Sequence, residues 1–241
     1  MLYRTPALEQ GTGGMLRPGG LELTSTLVAQ SGLAPGARLL DLGCGPGHSL
    51  ALLSDSFRVT GLDASEAMLI QAGVRAAKAT LIQARAEALP LQDSSFDGVL
   101  AECVLSLCAQ PETVLTGIHR ILRPGGCLLL SDLYLKNGTF SCALPKEAGC
   151  LLHAAPLEAT IAALTHLDFE ILYCQDQSRA LMQLAGQLIF DQGSLEAFWQ
   201  TFLDDSSARQ ACSAVRSTPP GYFALLARKQ AICKRGNTHD R

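Results

Sequence analysis

Apolar residues fall along the first half of the chain in short blocks, separated by longer stretches that are apolar on one side only. Blocks at 38–42, 57–62, 79–83, 97–103 and 126–133 have the length and content of buried strands. Stretches at 21–31, 47–54, 65–77 and 110–122 carry apolar residues at three- and four-residue intervals, as Leu23, Leu27 and Val28 do in the first, and predict helices. This alternation predicts an α/β fold with a mostly parallel sheet and helices on both faces. Right-handed crossovers would then put a ligand at the carboxyl edge, where the strand order reverses. Later in the chain the pattern predicts a helix near 156–166, a strand at 169–173 and a last strand at 222–227, for seven strands in all.

Between the last two strands, 178–217 reads as a helical insertion carrying Met182, Leu184, Ile189, Phe190, Phe198, Trp199 and Phe202. Extra core is its default role, with pocket cover or a homodimer contact as the alternatives. The whole of 1–241 is read as one domain. An N-terminal segment and helix (1–34) lead into a core (35–135) and then a half that holds the insertion (136–228). A polar tail (229–241) is expected to fray.

The junctions between these elements carry the chemistry. The first strand ends in Asp41-Leu42-Gly43-Cys44-Gly45-Pro46-Gly47, and the next helix follows at once. Glycines there let the backbone come within contact distance of a ligand, under the N-terminus of that helix. The second strand closes on Asp63, about twenty residues on, where an acid is placed to bond both hydroxyls of a ribose. The spacing is wrong for a dehydrogenase fingerprint, because its last glycine would fall at His48. The arrangement predicts a nucleoside pocket.

Composition narrows the function class. At 241 residues the chain can bury a full core without metal or disulfide staples. A net charge of −3, with no stripe of Lys and Arg, disfavours nucleic acid as a partner. No leader pattern opens the chain and no apolar run reaches the ~18 residues of a membrane span, so a cytoplasmic enzyme of a small-molecule acceptor is expected. Nine cysteines without a CxxC pair argue for free thiols and against a metal site.

Further landmarks follow in order: Gly61-Leu62-Asp63-Ala64-Ser65, Ala86-Glu87-Ala88-Leu89-Pro90-Leu91, Ser95-Phe96-Asp97 and Ile121-Leu122-Arg123-Pro124-Gly125-Gly126. With the glycine turn, they make residues 20–175 resemble the class I S-adenosylmethionine-dependent methyltransferases. The resemblance implies a Rossmann-like fold and S-adenosyl-L-methionine as cofactor. It implies that Asp41 fixes the turn and reaches the methionine amino group through water, and that Gly43, Cys44, Gly45 and Gly47 give close backbone approach. Asp63 would take the ribose, Ala64 and Met68 the adenine face, and Ala86 and Glu87 the adenine edge. Arg85 stands where the family commonly has an acid. Glu102 and Cys103 would end the fourth strand facing the methyl group, and Arg17 would close over the cofactor carboxylate.

One stretch points further. Cys103-Val104-Leu105-Ser106-Leu107 and Ser131-Asp132-Leu133-Tyr134 resemble the arsenite methyltransferase branch, and Cys150 stands about where that branch places a second cysteine. The resemblance implies Cys103 and Cys150 as the ligands of a soft metalloid, or of a selenium or sulfur species. The branch's cysteine shortly after the glycine turn is missing from His48–Leu53. An ordinary O-, N- or C-methyltransferase remains open, with Glu102, His153, Asp132, Tyr134 and Lys136 as candidates to touch its acceptor. So does an S-adenosylmethionine-binding protein without turnover. His119 reads as structural.

Overall fold

The computed structural model describes residues 17–136, 138, 140, 144–145 and 148–231. The N-terminal segment before Arg17 and the tail from 232 onward lie outside the described residues. Helix α1 (Gly20–Ser31) precedes β1 (Arg38–Leu42), α2 (His48–Leu53), β2 (Arg58–Asp63), α3 (Glu66–Arg75), β3 (Thr80–Gln83) and β4 (Phe96–Glu102). Then come α4 (Pro111–Ile121), β5 (Leu122–Leu135), α5 (Leu157–His166) and β6 (Phe169–Asp176). The insertion folds as α6 (Ser178–Gln192), α7 (Leu195–Gln200) and α8 (Asp205–Ser217), ahead of β7 (Pro220–Lys229).

The seven strands form one sheet in the order β3-β2-β1-β4-β5-β7-β6. Neighbours from β3 through β5 pair in parallel, and β7 runs antiparallel between β5 and β6. Strand order reverses between β1 and β4, so a crevice opens outside their carboxyl ends. Both central strands are buried: β4 is covered from Phe96 to Ala101 and β1 from Leu39 onward. Two apolar layers result, one built on Leu39, Leu50, Leu100 and Leu129, the other on Leu40, Val99, Ile118 and Leu128.

Strands near the far edge run longer than their apolar blocks. Arg123-Pro124-Gly125-Gly126 is absorbed into β5 as a register shift between Phe96 and Gly98, so the strand begins at Leu122 rather than 126. β6 extends to Asp176 because pairing with β7 satisfies its backbone, while its outer side chains stay exposed and polar. β7 runs through Lys229, which does not fray: its Nζ donates to the carbonyls of His119 and Leu122 at the end of α4. The insertion is core mainly in its later part, since Met182 and Phe190 on α6 stand exposed. Phe198, Trp199, Leu203, Ala208 and Cys212 are buried with Tyr222 and Leu133, and Phe198 stacks edge-on with Trp199 and Phe202.

The turn after β1 is set by packing as much as by hydrogen bonds. Gly47 takes φ +84°, and a Cβ there would sit 2.8 Å from the Ala72 Cα on α3. Helices α2 and α3 can therefore meet only over a glycine. Gly47→Ala is expected to lose about 2 kcal/mol or more of stability, from positive φ and overpacking against backbone together. Chemical denaturation would show the lowered midpoint.

Candidate functional site

The crevice is floored by the glycine turn. The amides of Gly43 and Cys44 both donate to the Leu62 carbonyl, at 2.7 and 3.0 Å, which ties the turn to β2. Asp63 binds it from the other side: its Oδ2 accepts from the Gly45 amide at 2.9 Å and its Oδ1 from the Ser65 amide at 2.8 Å. A Cβ on Gly45 would meet nothing within 4 Å, so this glycine faces open space. The Cys44 thiol instead packs inward over Gly61, where burial pushes it well above its ordinary pKa.

Asp41 lies at the bottom of the crevice, 4% exposed. Its Oδ2 has no hydrogen-bond partner among the described residues. Burial, then the nearby Glu102 carboxylate, raises its pKa to about 8. A buried carboxylate oxygen without a donor is costly unless a cation or donor arrives. His48 is in a similar position, with a buried Nε2 that has no partner and a pKa lowered first by burial and then by Arg75 and Arg17.

Glu102 ends β4 and is held in a closed network. Arg17 forms an ion pair with its Oε2, Thr24 Oγ1 donates to Oε1 at 2.8 Å, and Ser49 Oγ donates to Oε2 at 3.1 Å. Arg17 also donates to Ser49 and Thr24, at 2.7 Å each. Burial raises the Glu102 pKa, and Arg17 with the hydroxyl donors works against that. The structure thus brings Arg17, Asp41 and Glu102 together, with Arg17 committed to Glu102 in this state. Thr24 and Ser49 carry no motif signal and escaped the sequence reading.

On the far side of Asp63, Ala64 is exposed and Met68 is buried under α3. Ala86 and Glu87 follow β3, half-buried, and Arg85 donates to Glu87 Oε1 at 3.1 Å. The Arg85 side chain is therefore turned toward an acid.

Across the crevice, Cys103 holds φ +55° just past β4, with its amide donating to the Ser131 carbonyl at 2.8 Å. Non-glycine residues in this region are strained, and strain of this kind collects at functional positions. Its Sγ lies 3.4 Å from the Tyr222 hydroxyl, which lies 3.0 Å from Ser131 Oγ. Burial raises the Cys103 thiol well above its usual pKa, with Asp132 and then Cys150 adding to the effect. The Cys150 thiol is pushed up to about 12, by burial and then by Asp132. Cys103 and Cys150 thus sit in one electrostatic neighbourhood around Asp132.

Asp132 is spent on structure. It accepts from the Ser106 amide at 3.1 Å, from the Ser106 hydroxyl and from the Leu133 amide, pinning the 3₁₀ turn over Leu105–Leu107. The His153 amide donates to the Ser106 carbonyl at 3.3 Å and joins the same wall. Tyr134 packs edge-on against Phe223, and the His119 ring packs on Phe169, so neither is drawn into the crevice by its ring contact. Tyr222 was missed from the sequence because a tyrosine in an apolar strand reads as core. Among the described residues, no group of three or more His, Cys, Asp or Glu is placed to hold a metal ion. No helix among them is long and apolar enough to cross a membrane.

Residues 40–130 match the family profile Methyltransf_11, described as a methyltransferase domain. That stretch holds the glycine turn, Asp63 and Glu102. An uncharacterized methyltransferase of Synechocystis, sll0829, is 39% identical over 105 residues, covering 42% of this chain and 50% of the relative. The chain spans about half the length of the curated relatives it matches. Among solved structures, the [4+2]-cyclase SpnF superposes with TM-score 0.76 at 23% identity, over 95% of this chain and 94% of that one. Phosphoethanolamine N-methyltransferase 2 of Haemonchus contortus, in complex with S-adenosyl-L-methionine, superposes with TM-score 0.70 at 20% identity, over 93% and 56%. At these identities the structures show the fold alone. The fold is the Rossmann-like fold of the class I methyltransferases, and residues 40–130 within it match a methyltransferase domain, whose cofactor would be S-adenosyl-L-methionine.

The residues present suit that cofactor: an unpaired buried carboxylate for its ammonium, an open glycine for its approach, and Asp63 at the strand end for its ribose. Two outcomes follow. In the ligand-free protein, Asp41 binds its proton more tightly folded than unfolded, so its own contribution to stability is full below about pH 4 and is lost as pH rises toward 8. Asp41→Asn is expected to remove that slope, at most about 1.4 kcal/mol per pH unit, in urea melts at several pH values. Gly45→Ala adds a methyl where nothing of the protein stands, so its stability cost is only that of a left-handed backbone at φ +51°, about 1–2 kcal/mol. Calorimetric titration should nonetheless show its affinity for S-adenosyl-L-methionine at least tenfold weaker.

Proposed function

We propose that this chain transfers the methyl group of S-adenosyl-L-methionine to a small acceptor held against the carboxyl ends of β4 and β5. The observation that carries the reading is the unpartnered Asp41 carboxylate oxygen, buried at the floor of a crevice whose glycine turn faces open space. When bound, the cofactor supplies an electrophilic methyl on a sulfonium. Asp41 holds the ammonium end, Asp63 takes the ribose hydroxyls, and the amides of the glycine turn line the approach. Ala64 and Met68 face the adenine ring, and Ala86 with Glu87 meets its edge. Arg17 and Glu102 close the floor beside the methyl, and their mutual pairing keeps a buried acid from facing the acceptor uncompensated. Alignment and exclusion of water then do most of the catalysis.

The acceptor's chemistry is narrowed by what stands beside Glu102. That carboxylate is spent on Arg17, Thr24 and Ser49, and Asp132 is spent on backbone, so neither is free to take a proton from an acceptor hydroxyl. An acceptor atom that already carries a free lone pair fits best. The shared neighbourhood of Cys103 and Cys150 supports a thiol-held metalloid, or a selenium or sulfur species. Burial keeps both thiols protonated near neutral pH. A trivalent metalloid hydroxide would condense with them directly, each thiol proton leaving with a hydroxide as water and the metalloid's lone pair remaining free. The second reading, an amine or carboxylate acceptor, rests on the same lack of a free base.

Methyl-labelled S-adenosyl-L-methionine, excess thiol reductant and either arsenite, selenite or a panel of amines and carboxylic acids would be incubated in parallel, with products identified by mass spectrometry. Methylated metalloid or selenium is expected, falling at least a hundredfold in Cys103→Ser and in Cys150→Ser while cofactor affinity stays within twofold. Turnover of an amine or carboxylate that neither substitution affects would overturn the thiol reading and keep the methyltransferase. Tight cofactor binding with no methyl product from any acceptor would point instead to a binding protein.

A further inference from the structure

The opposite edge of the sheet carries a feature that methyl transfer does not use. The crossover from β3 to β4, residues 84–95, contains no helix, so the sheet face at the amino ends of β2 and β3 lies open. Register decides what is displayed there. Arg38 pairs with Arg58, Leu40 with Thr60, and Thr60 in turn with Thr80. In-register partners on parallel strands, and residues two apart on one strand, project to the same face. Arg38, Arg58, Thr60 and Thr80 therefore share a face, and Lys78, in the turn before β3, also lines the groove. A groove of about 570 Å³ opens over them, with Leu91 and Phe96 on its wall, within the size range of small-ligand sites.

The charges in this groove are incompletely matched. Lys78 pairs with Asp55 at 2.7 Å, but both side chains are about three-quarters exposed or more, so the pair holds weakly. Asp97 accepts from the Arg38 amide at 2.8 Å, lies 3.9 Å from the Arg38 Nε and also pairs with Arg123. Arg58 makes no ion pair among the described residues, and the hydroxyls of Thr60 and Thr80 make no hydrogen bond there. Arg38, Arg58, Lys78 and Arg123 against Asp55 and Asp97 leave two positive charges. That matches a phosphate group, which carries close to two negative charges at neutral pH and suits guanidinium forks.

We propose that this groove binds a phosphate group, free or carried on a small organic body. Arg58 and Arg38 engage its oxygens from the sheet, Lys78 adds charge from the rim, and the hydroxyls of Thr60 and Thr80 donate from the floor. An organic body would lie on Leu91 and Phe96. Along β2 Arg58 lies about 17 Å and Thr60 about 10 Å from Asp63, so the site is separate from the cofactor crevice and stands whether or not the methyltransferase reading holds.

Inorganic phosphate and phenyl phosphate would each be titrated calorimetrically into the full chain at constant ionic strength, with and without saturating S-adenosyl-L-methionine. Saturable binding is expected, unaffected by that cofactor and weakened at least tenfold in the Arg58→Ala/Lys78→Ala double variant, whose melting temperature and cofactor affinity should match the parent. Tighter binding of phenyl phosphate would identify a phosphorylated small molecule as the ligand, and equal affinities the free anion. Binding that is equal in parent and double variant, that S-adenosyl-L-methionine displaces, or that potassium chloride of the same ionic strength reproduces would overturn the proposal.

Discussion

The carboxyl edge of this molecule depends on one turn, in which the chain leaves β1 with no side chain in its way. Three glycines at positive φ accomplish this, and each answers to a different neighbour. Gly43 lies so near Val104 that a Cβ would come within 2.7 Å of its Cγ2, Gly47 is pressed against α3, and Gly45 opens onto free space. The first two hold the walls together and the third keeps the crevice empty. Asp63 then locks the turn through Gly45, so the acid that closes β2 also shapes the floor of the crevice.

That turn forces acids into a buried place. Asp41 and Glu102 sit at the ends of adjacent strands, where burial raises the pKa of both and Glu102 further raises that of Asp41, with Arg17 as the compensating cation for each. Arg17 reaches that position from just before α1, so the start of the described chain is bound into the site's charge balance rather than only covering it. A positively charged ligand relieves the remaining imbalance at Asp41. On the proposed reading a sulfonium with an ammonium is such a ligand, and its binding would draw the proton off Asp41.

The parts of this design that depend on local order were legible in the sequence. Strand–turn–helix alternation predicted the sheet, and the glycine run followed by Asp63 predicted the crevice, because both rest on neighbouring residues. The partner of Arg17 was not legible: its pairing with Glu102 spans 85 positions and has no motif. Tyr222 reached Cys103 only because β7 enters between β5 and β6, an antiparallel placement that apolar content does not reveal. Strand lengths were underestimated where polar residues pair at an edge or a bulge, since hydrophobic blocks report burial and not hydrogen bonding. The row of cations on β1 and β2 is invisible as a motif and appears once register is known.

The central claim is that the crevice between β1 and β4 binds S-adenosyl-L-methionine through Asp63 and the glycine turn. The direct measurement is an equilibrium titration of the cofactor into the protein and into Asp63→Ala, with a nicotinamide dinucleotide as the competing nucleotide. The account predicts micromolar binding to the parent, a loss of at least tenfold in Asp63→Ala, and no displacement by the dinucleotide. Equal affinity in the two proteins, or displacement by the dinucleotide, would contradict it.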